Sequence, residues 1–531
     1  MALQNRLTAT LSVIQGVILA ASAQAGDGFF MAKKTADYLE PAIPRAAEDK
    51  EAAEKLAALA AKTGRKPNIL IVVVDDLGYG DLGCYGGGEA VGSPTPNIDR
   101  LAREGLRLTS CYSQPTSTPS RAALMTGRLP CRSGLIRPLL PGDPFKVNPW
   151  TGEVTAAGIL SDSGYVTGLA GKWHLGEGEG MKPHEVGYDE FYGFLGVVSD
   201  YTAYVDPRKY GPLVLKPERL AVYHGLGALE YVVDAKKGGE MKKVKPLATA
   251  EDVANCDQEF ADWSVDFIKR AAAAGKPFYL VHASAKVHKD NWPSKAYVGK
   301  SPAATPYRDS VVEVDDIVGR LMKTLEETGQ AGNTLVFITS DNGPSEDVFP
   351  DGGYTPFRGG KGTTWEGGVR APGIAYWPGM IPGGRVSDGL FDLMDLFNTS
   401  LGVAGAADKI TSARFVDGID QTSFFLAADG RTKREAVFMW SEYDLMAVRC
   451  GEFKGHVKVM NYGRPMGGLN EVTVSDVGLS PWLYNLYVDP KEQFSVGVDY
   501  TEWVIPILTG EALRHKATFV KYPIKNTGLM P

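Results

Sequence analysis

Ile69-Leu70-Ile71-Val72-Val73-Val74-Asp75-Asp76 is the stretch that decides the fold. Six apolar residues run without a polar interruption, and all but Leu70 are β-branched. No alternation is present, so both faces of the strand must be buried, as inside a parallel sheet covered by helices on both sides. Further along, Thr95-Pro96 opens a helix with a cap and a proline in its first turn, and Gly105 ends it. Leu106 to Tyr112, Tyr165 to His174, Phe278 to Ala283 and Leu335 to Thr339 read as further strands. A long helix over Tyr307 to Thr328 carries Val311, Val314, Ile317, Val318, Leu321 and Leu325 on one stripe. This alternation predicts an α/β fold with a large central, mostly parallel sheet flanked by helices. Beyond residue 405 the pattern changes to short strand candidates, Val437 to Trp440, Met446 to Arg449, Val457 to Met460 and Trp482 to Leu486. These predict a smaller antiparallel sheet, with a C-terminal helix over Pro506 to Val520.

The chain has 531 residues, 44 % hydrophobic and 22 % charged, enough for a large core and a second, smaller unit. A net charge of −7, spread along the chain, excludes the basic footprint of a nucleic-acid binder. The five cysteines are scattered, odd in number and without a CxxC pair, so they form no disulfide framework. Arg6, the apolar run Leu11 to Ala20 and Ala23-Gln24-Ala25 make the pattern of a secretory signal, too short to span a bilayer. No other segment is a transmembrane candidate. The expected organisation is a signal peptide at 1–25, a helical extension at 26–66, a catalytic α/β domain at 67–405 and a small α+β subdomain at 406–531. The expected location is the periplasm or outside the cell. Within the extension, Glu48 to Lys62 lacks Gly and Pro and is helix-prone, with a packing or spacer role.

Gly78-Tyr79-Gly80-Asp81-Leu82-Gly83 matches a dinucleotide-binding pattern after a buried strand. Asp75 and Asp76 argue against that reading, because two carboxylates would repel a pyrophosphate unless a cation intervened. Two acids at the C-terminal end of a central strand do lie where open α/β sheets bind ligands. Ser340-Asp341-Asn342-Gly343 follows a second buried strand in the same way. Asp75, Asp76, Asp341 and Asn342 form an all-oxygen set suited to Ca²⁺, or less well Mg²⁺, and poorly suited to Zn²⁺.

The most specific string is Ser117-Thr118-Pro119-Ser120-Arg121-Ala122-Ala123-Leu124-Met125-Thr126-Gly127-Arg128. Pro119 and Ser120 suit a helix start and Gly127 its end, so Ser117 stands just before a helix N-terminus, which favours an anion. Arg121 reaches back from the first turn. A capped helix would account for Pro, Ser and Gly, but not for the whole string. The string resembles the (Cys/Ser)-x-Pro-Ser-Arg-x-x-x-x-Thr-Gly-Arg signature of the type I sulfatases, in the alkaline phosphatase superfamily. Other segments resemble that family in its order. They are Ile71 to Gly86, Gly171-Lys172-Trp173-His174-Leu175-Gly176, Phe278 to His288, Ser340 to Gly343, Arg358 to Lys361 with Trp365 to Arg370, and Leu483 to Leu486 with Asp489 to Glu492. One departure is Val287 before His288, where the family usually has proline.

The resemblance implies a sulfuric ester hydrolase in which residue 117, here the serine-type variant, is oxidised to formylglycine by a separate serine-oxidising maturation enzyme. It implies a metal held by Asp75, Asp76, residue 117, Asp341 and Asn342, and cationic contacts to sulfate from Arg121, Lys172 and Lys361. His288, helped by Lys361, is expected to protonate the leaving alcohol, and His174 to take the proton that lets sulfate depart from the hydrated aldehyde. Lys172 and His174, two apart on a strand end, are expected to point the same way. The implied partner is a sulfated small molecule or saccharide. Loops at 198–250 and 461–480, with Tyr201, Tyr204, Tyr210, Tyr223 and Tyr462, are where the leaving group is expected to bind. His184, His224, His282, His456 and His515 match nothing and receive no role. Two rivals stay open: a phosphodiesterase or phosphonate hydrolase using unmodified Ser117, and an inactive sulfated-ligand-binding protein.

Overall fold

A computed structural model describes residues 30–529, apart from 141, 198–229, 347, 349–350, 467–468, 478–481 and 497–502. The signal-like segment at 1–25, four of the loop tyrosines (Tyr201, Tyr204, Tyr210 and Tyr223) and His224 lie outside the described residues.

The extension folds into α1 (Ala46–Thr63), and the decisive apolar run becomes β1 (Asn68–Val74), buried along its whole length. Then come α2 (Pro96–Glu104), β2 (Leu106–Tyr112), α3 (Ser117–Thr126), β3 (Val166–Lys172) and β4 (Glu190–Phe194). Next are β5 (Tyr231–Lys236), β6 (Lys242–Pro246), α4 (Ala250–Ala273), β7 (Phe278–Ala283), α5 (Pro306–Glu327) and β8 (Thr334–Ser340). The main sheet closes with β9 (Arg370–Tyr376), β10 (Arg385–Ser387) and β11 (Phe391–Asp392). Its order is β10-β2-β9-β8-β1-β7-β3-β4-β5-β6, with β11 also on β2. The five strands β8-β1-β7-β3-β4 are parallel, whereas β9 runs antiparallel between β2 and β8.

Both faces of β1 are covered, as its unbroken apolar run requires. Ile69, Ile71 and Val73 join the core that contains Leu124 and Met125 of α3. Leu70, Val72 and Val74 join the opposite core, with Ile98 and Leu101 of α2 and the Val311-to-Leu325 stripe of α5. Each such side chain contributes roughly 1.5–3 kcal/mol on full burial. The extension packs rather than spaces. Lys55 Nζ donates to Leu426 O at 2.6 Å and Arg45 Nε to Thr432 O at 3.2 Å.

Three local expectations are corrected. The helix of the signature begins at Ser117 itself, two residues earlier than Pro119 indicated. Thr95 precedes α2 without a side-chain cap, because its Oγ1 instead accepts from Gly83 N and donates to Asp99. Lys172 ends β3, but His174 lies beyond it with φ +57°, so strand alternation does not govern its direction.

In the C-terminal part, β12 (Ala436–Ser441), β13 (Asp444–Cys450), β14 (Phe453–His456), β15 (Lys458–Met466), β16 (Leu469–Asp476) and β17 (Trp482–Asn485) precede α6 (Val504–Lys521). Strands β12-β13-β14-β17 form an antiparallel sheet under α6. Met460 does not join it. The segment beginning at Lys458 pairs with β16 in a separate hairpin, so much of 461–480 is strand rather than loop. Strands β5 and β6 likewise occupy part of the expected 198–250 loop.

A buried ionic knot ties this sheet to the main domain. Glu366 Oε1 lies 3.1 Å from Lys454 Nζ on β14, and that ammonium lies 3.0 Å from Glu492. Glu366 N donates to Glu492 Oε2 at 2.7 Å. Burial opposes the charge on Glu366, but Lys454, Arg370 and Arg449 outweigh it and hold the carboxyl down to about 2. Among the described residues no helix is long and apolar enough to cross a membrane, and all five cysteines are free thiols.

Candidate active site

The site forms at the C-terminal ends of β1 and β8, which are neighbours in register, Val74 opposite Ser340. That pairing carries Asp75-Asp76 and Asp341-Asn342 to one point, and oxygens of Asp75, Asp76 and Asp341 lie within 4.8 Å of one another. All four side chains are buried. Asp76 N donates to Asp341 Oδ1 at 3.2 Å, and Asn342 Nδ2 to Asp76 Oδ1 at 2.7 Å. The Asn342 amide is thereby oriented, leaving its Oδ1, like Asp75 Oδ1, without a hydrogen bond in a buried place. Orphaned acceptors beside converging carboxylates are costly unless a cation completes them. The residues present therefore fit a hard divalent ion.

Helix α3 points its N-terminus at this cluster. Ser117 Oγ donates to Asp341 Oδ2 at 2.7 Å and accepts from Arg121 Nε at 2.9 Å. Arg121 also bonds Asp341 Oδ2 through Nη2 at 2.8 Å and Lys172 O through Nη1 at 3.1 Å. Gly127, in the left-handed region at φ +69°, closes the helix by donating to Ala123 O. Lys172 Nζ donates to Asp75 Oδ2 at 2.5 Å, and Lys361 Nζ to Asp76 Oδ2 at 2.8 Å. His288 Nε2 lies 3.8 Å from Asp76 Oδ2. Three buried cations thus face three buried acids.

His174 enters differently. Its Nε2 lies 3.0 Å from Leu139 O, and its buried Nδ1 has no hydrogen bond. Asp76 and His174 both hold left-handed backbone, φ +59° and +57°. For non-glycine residues this costs about 1–3 kcal/mol and is characteristic of functional sites. At Gly171, φ +103°, a Cβ would sit 1.9 Å from Ala283 O, so only glycine lets β3 deliver Lys172. Burial, with Lys172 and Arg121 nearby, pushes His174 well below the usual imidazole range. Burial with Lys361 and Lys172 does the same to His288.

All ten residues singled out from the sequence, Asp75, Asp76, Ser117, Arg121, Lys172, His174, His288, Asp341, Asn342 and Lys361, line this one locality, and residues 67–406 match the family model described as Sulfatase. The chain belongs to the type I sulfatase family.

It is similar to N-acetylgalactosamine-6-sulfatase of Canis lupus familiaris, 34 % identical over 490 residues, covering 87 % of this chain and 88 % of that one. It is also 36 % identical to arylsulfatase A of Bos taurus over 468 residues, covering 83 % and 85 % of the two chains. Among solved structures it resembles the PsFucS1 sulfatase from Pseudoalteromonas sp., with a TM-score of 0.91 and 52 % identity over 94 % of this chain and 99 % of that one. The protein is a sulfuric ester hydrolase.

Several residues that hold this candidate site carried no signal in the sequence. Thr118, a variable position of the signature, donates to His174 O at 2.8 Å and accepts from Leu139 N at 3.2 Å. Asp81, from the glycine-rich decoy, accepts from Tyr307, Arg308, Gly78 and Tyr354. That segment runs into a turn and a single 3-10 turn, Gly83–Tyr85, with no helix N-terminus for a pyrophosphate. Of the unassigned histidines, His456 Nε2 bonds Glu492 at 2.7 Å, Ser264 Oγ meets His282 Nδ1 at 2.9 Å, and His515 stacks on Phe438. Beside His174 opens a cavity of about 440 Å³, lined in part by Leu139, Leu140, Phe145, Glu177, Met181 and Leu195.

Proposed function

We propose that this sulfatase hydrolyses sulfate monoesters of aryl or saccharide alcohols, with Ser117 oxidised to formylglycine and Ca²⁺ at Asp75, Asp76, Asp341, Asn342 and residue 117. The observation that carries the reading is the convergence of Ser117 Oγ, at a helix N-terminus, on both Asp341 and Arg121. The Ser117 Oγ stands in for one oxygen of the hydrated aldehyde. Oxidised and hydrated, residue 117 supplies one hydroxyl to take the sulfuryl group and a second through which sulfate is expelled. A calcium ion held by these residues would supply Lewis-acid charge for the nucleophile and the sulfuryl oxygens.

The chain's own residues do the rest. Arg121, Lys172 and Lys361 are pre-positioned cations for the non-bridging oxygens, fixed by Asp341, Asp75 and Asp76 before substrate arrives. His174, with Nδ1 unbonded and burial disfavouring the charged ring, is the base that removes the proton of the second hydroxyl. His288 gives a proton to the leaving oxygen, with Lys361 as its neighbour and the ester's charge favouring the protonated ring. The cavity beside His174 has an apolar and carboxylate lining that suits a substrate ring bearing hydroxyls. Similarity to an enzyme named for a sulfated amino sugar supports a saccharide as that ring.

Matured protein is expected to hydrolyse 4-nitrophenyl sulfate faster than unmodified Ser117 protein hydrolyses phosphate diesters or phosphonates. The reverse order replaces the sulfatase reading of Ser117 with the phosphohydrolase one. We place the mature protein in the periplasm or outside the cell, beginning near Gly26, on the signal-like pattern of residues 1–25. N-terminal sequencing from the native host checks this, and a read starting at residue 1 or 2 overturns it.

A further inference from the structure

Lys286 lies two residues before His288, is buried, and shares the lining of a small cavity with Asp75, Lys172 and His288. Its Nζ donates to Ala254 O at 2.8 Å and lies 3.3 Å from Glu313 Oε2 and 3.6 Å from Asp257 Oδ2. Ala254 and Asp257 belong to α4 and Glu313 to α5, so one ammonium joins two helices beneath the loop. The same acids hold the loop at both ends. Asp257 Oδ1 accepts from Ser284 Oγ at 2.5 Å and Ala285 N at 2.9 Å, while Glu313 Oε2 accepts from Ser294 N at 2.9 Å. Between those ends the backbone is stitched to a proposed metal ligand. Asp75 N donates to Lys286 O at 3.1 Å, and Val287 N donates to Asp75 O at 2.8 Å. His288 Nδ1 lies 2.5 Å from Lys289 O, so this nitrogen carries the hydrogen and Nε2 faces the site.

A long flexible ammonium is an expensive way to fill a core, because a buried charge must recover its desolvation through partners. A loop needing only burial would be served by an apolar side chain. What the ammonium adds is a fixed distance from α4 and α5 to Asp75 and His288. We propose that Lys286 is a positioning residue for His288, acting through Asp257 and Glu313 to set the imidazole where the leaving oxygen departs. This rests on the reading of His288 as the proton donor.

Proton donation matters most when the alcohol leaves poorly, so the test compares matured variants on phenyl sulfate and 4-nitrophenyl sulfate. His288→Ala is expected to cut kcat on phenyl sulfate by about 10²-fold and on 4-nitrophenyl sulfate far less. Lys286→Met, and Glu313→Gln as the milder variant should Lys286→Met not fold, are expected to show the same unequal loss with KM little changed. Adding Lys286→Met to His288→Ala is expected to widen the gap no further. Equal losses on both esters in the Lys286 and Glu313 variants, with His288→Ala still discriminating, overturn the positioning role alone. Equal losses in His288→Ala overturn the proton-donor reading itself.

Discussion

Ser117→Ala is expected to abolish turnover, by on the order of 10⁴-fold or more, while leaving affinity for a sulfate ester within about tenfold, or about 1.4 kcal/mol. The reason lies in how the cations are held. Arg121 keeps its bonds to Asp341 and to Lys172 O without the serine, and Lys172 and Lys361 are anchored on Asp75 and Asp76. The anion-binding surface is therefore encoded in the chain and does not depend on modification of residue 117. Unmodified Ser117 protein is expected to be nearly inert for a related reason. A simple serine has no second hydroxyl through which to expel sulfate, so it stalls after one transfer. Coexpression with a serine-oxidising maturase is expected to restore turnover, and His174→Ala in matured protein to leave added mass on the peptide containing residue 117. Calorimetric titration together with mass spectrometry checks both halves. Full activity without oxidation at 117, or affinity lost in Ser117→Ala, overturns the account.

The second large effect concerns the metal. Purified protein is expected to hold one calcium ion per chain, and Asp341→Ala to lose both the ion and activity. Asp341 is the most heavily used of the acids. Its Oδ2 accepts from Ser117 Oγ and from Arg121 Nε and Nη2, and its Oδ1 accepts from Asp76 N. Removing the carboxylate also strands a buried guanidinium, at a cost of about 3–5 kcal/mol. Asp341→Asn separates the two effects, since it keeps the shape and an acceptor while withdrawing charge. Wild-type protein at a calcium concentration a hundred times its Kd is expected to gain about 2.7 kcal/mol of stability. Either variant should gain much less. Elemental analysis and thermal melts with and without a chelator read this out. Zinc in the wild type, or calcium retained equally by Asp341→Ala, excludes the proposed site.

Much of this was legible because the relevant signals are local. An unbroken β-branched run reports burial on both faces wherever it occurs, and β1 indeed has a hydrophobic core on each side. The stripe of α5 reports a helix packed on a sheet, and the carboxylates were found because they terminate such strands. Resemblance supplied the serine and its neighbours, since a twelve-residue string is specific without any knowledge of the fold.

What the tertiary structure alone decided depends on pairing between distant segments. That β8 lies beside β1, bringing Asp341 to Asp75 across 266 positions, is a topological fact that periodicity does not contain. The antiparallel β9 and the separate hairpin of β15 and β16 were likewise invisible, because strand composition reports burial and not partner. The direction of His174 could not follow from alternation, which holds only while the backbone stays extended, and it turns left-handed there. Lys286, Lys454, Glu366 and Glu492 look in sequence like ordinary surface charges. They are buried in ion pairs, and only folding supplies the opposite charges that make their burial tolerable.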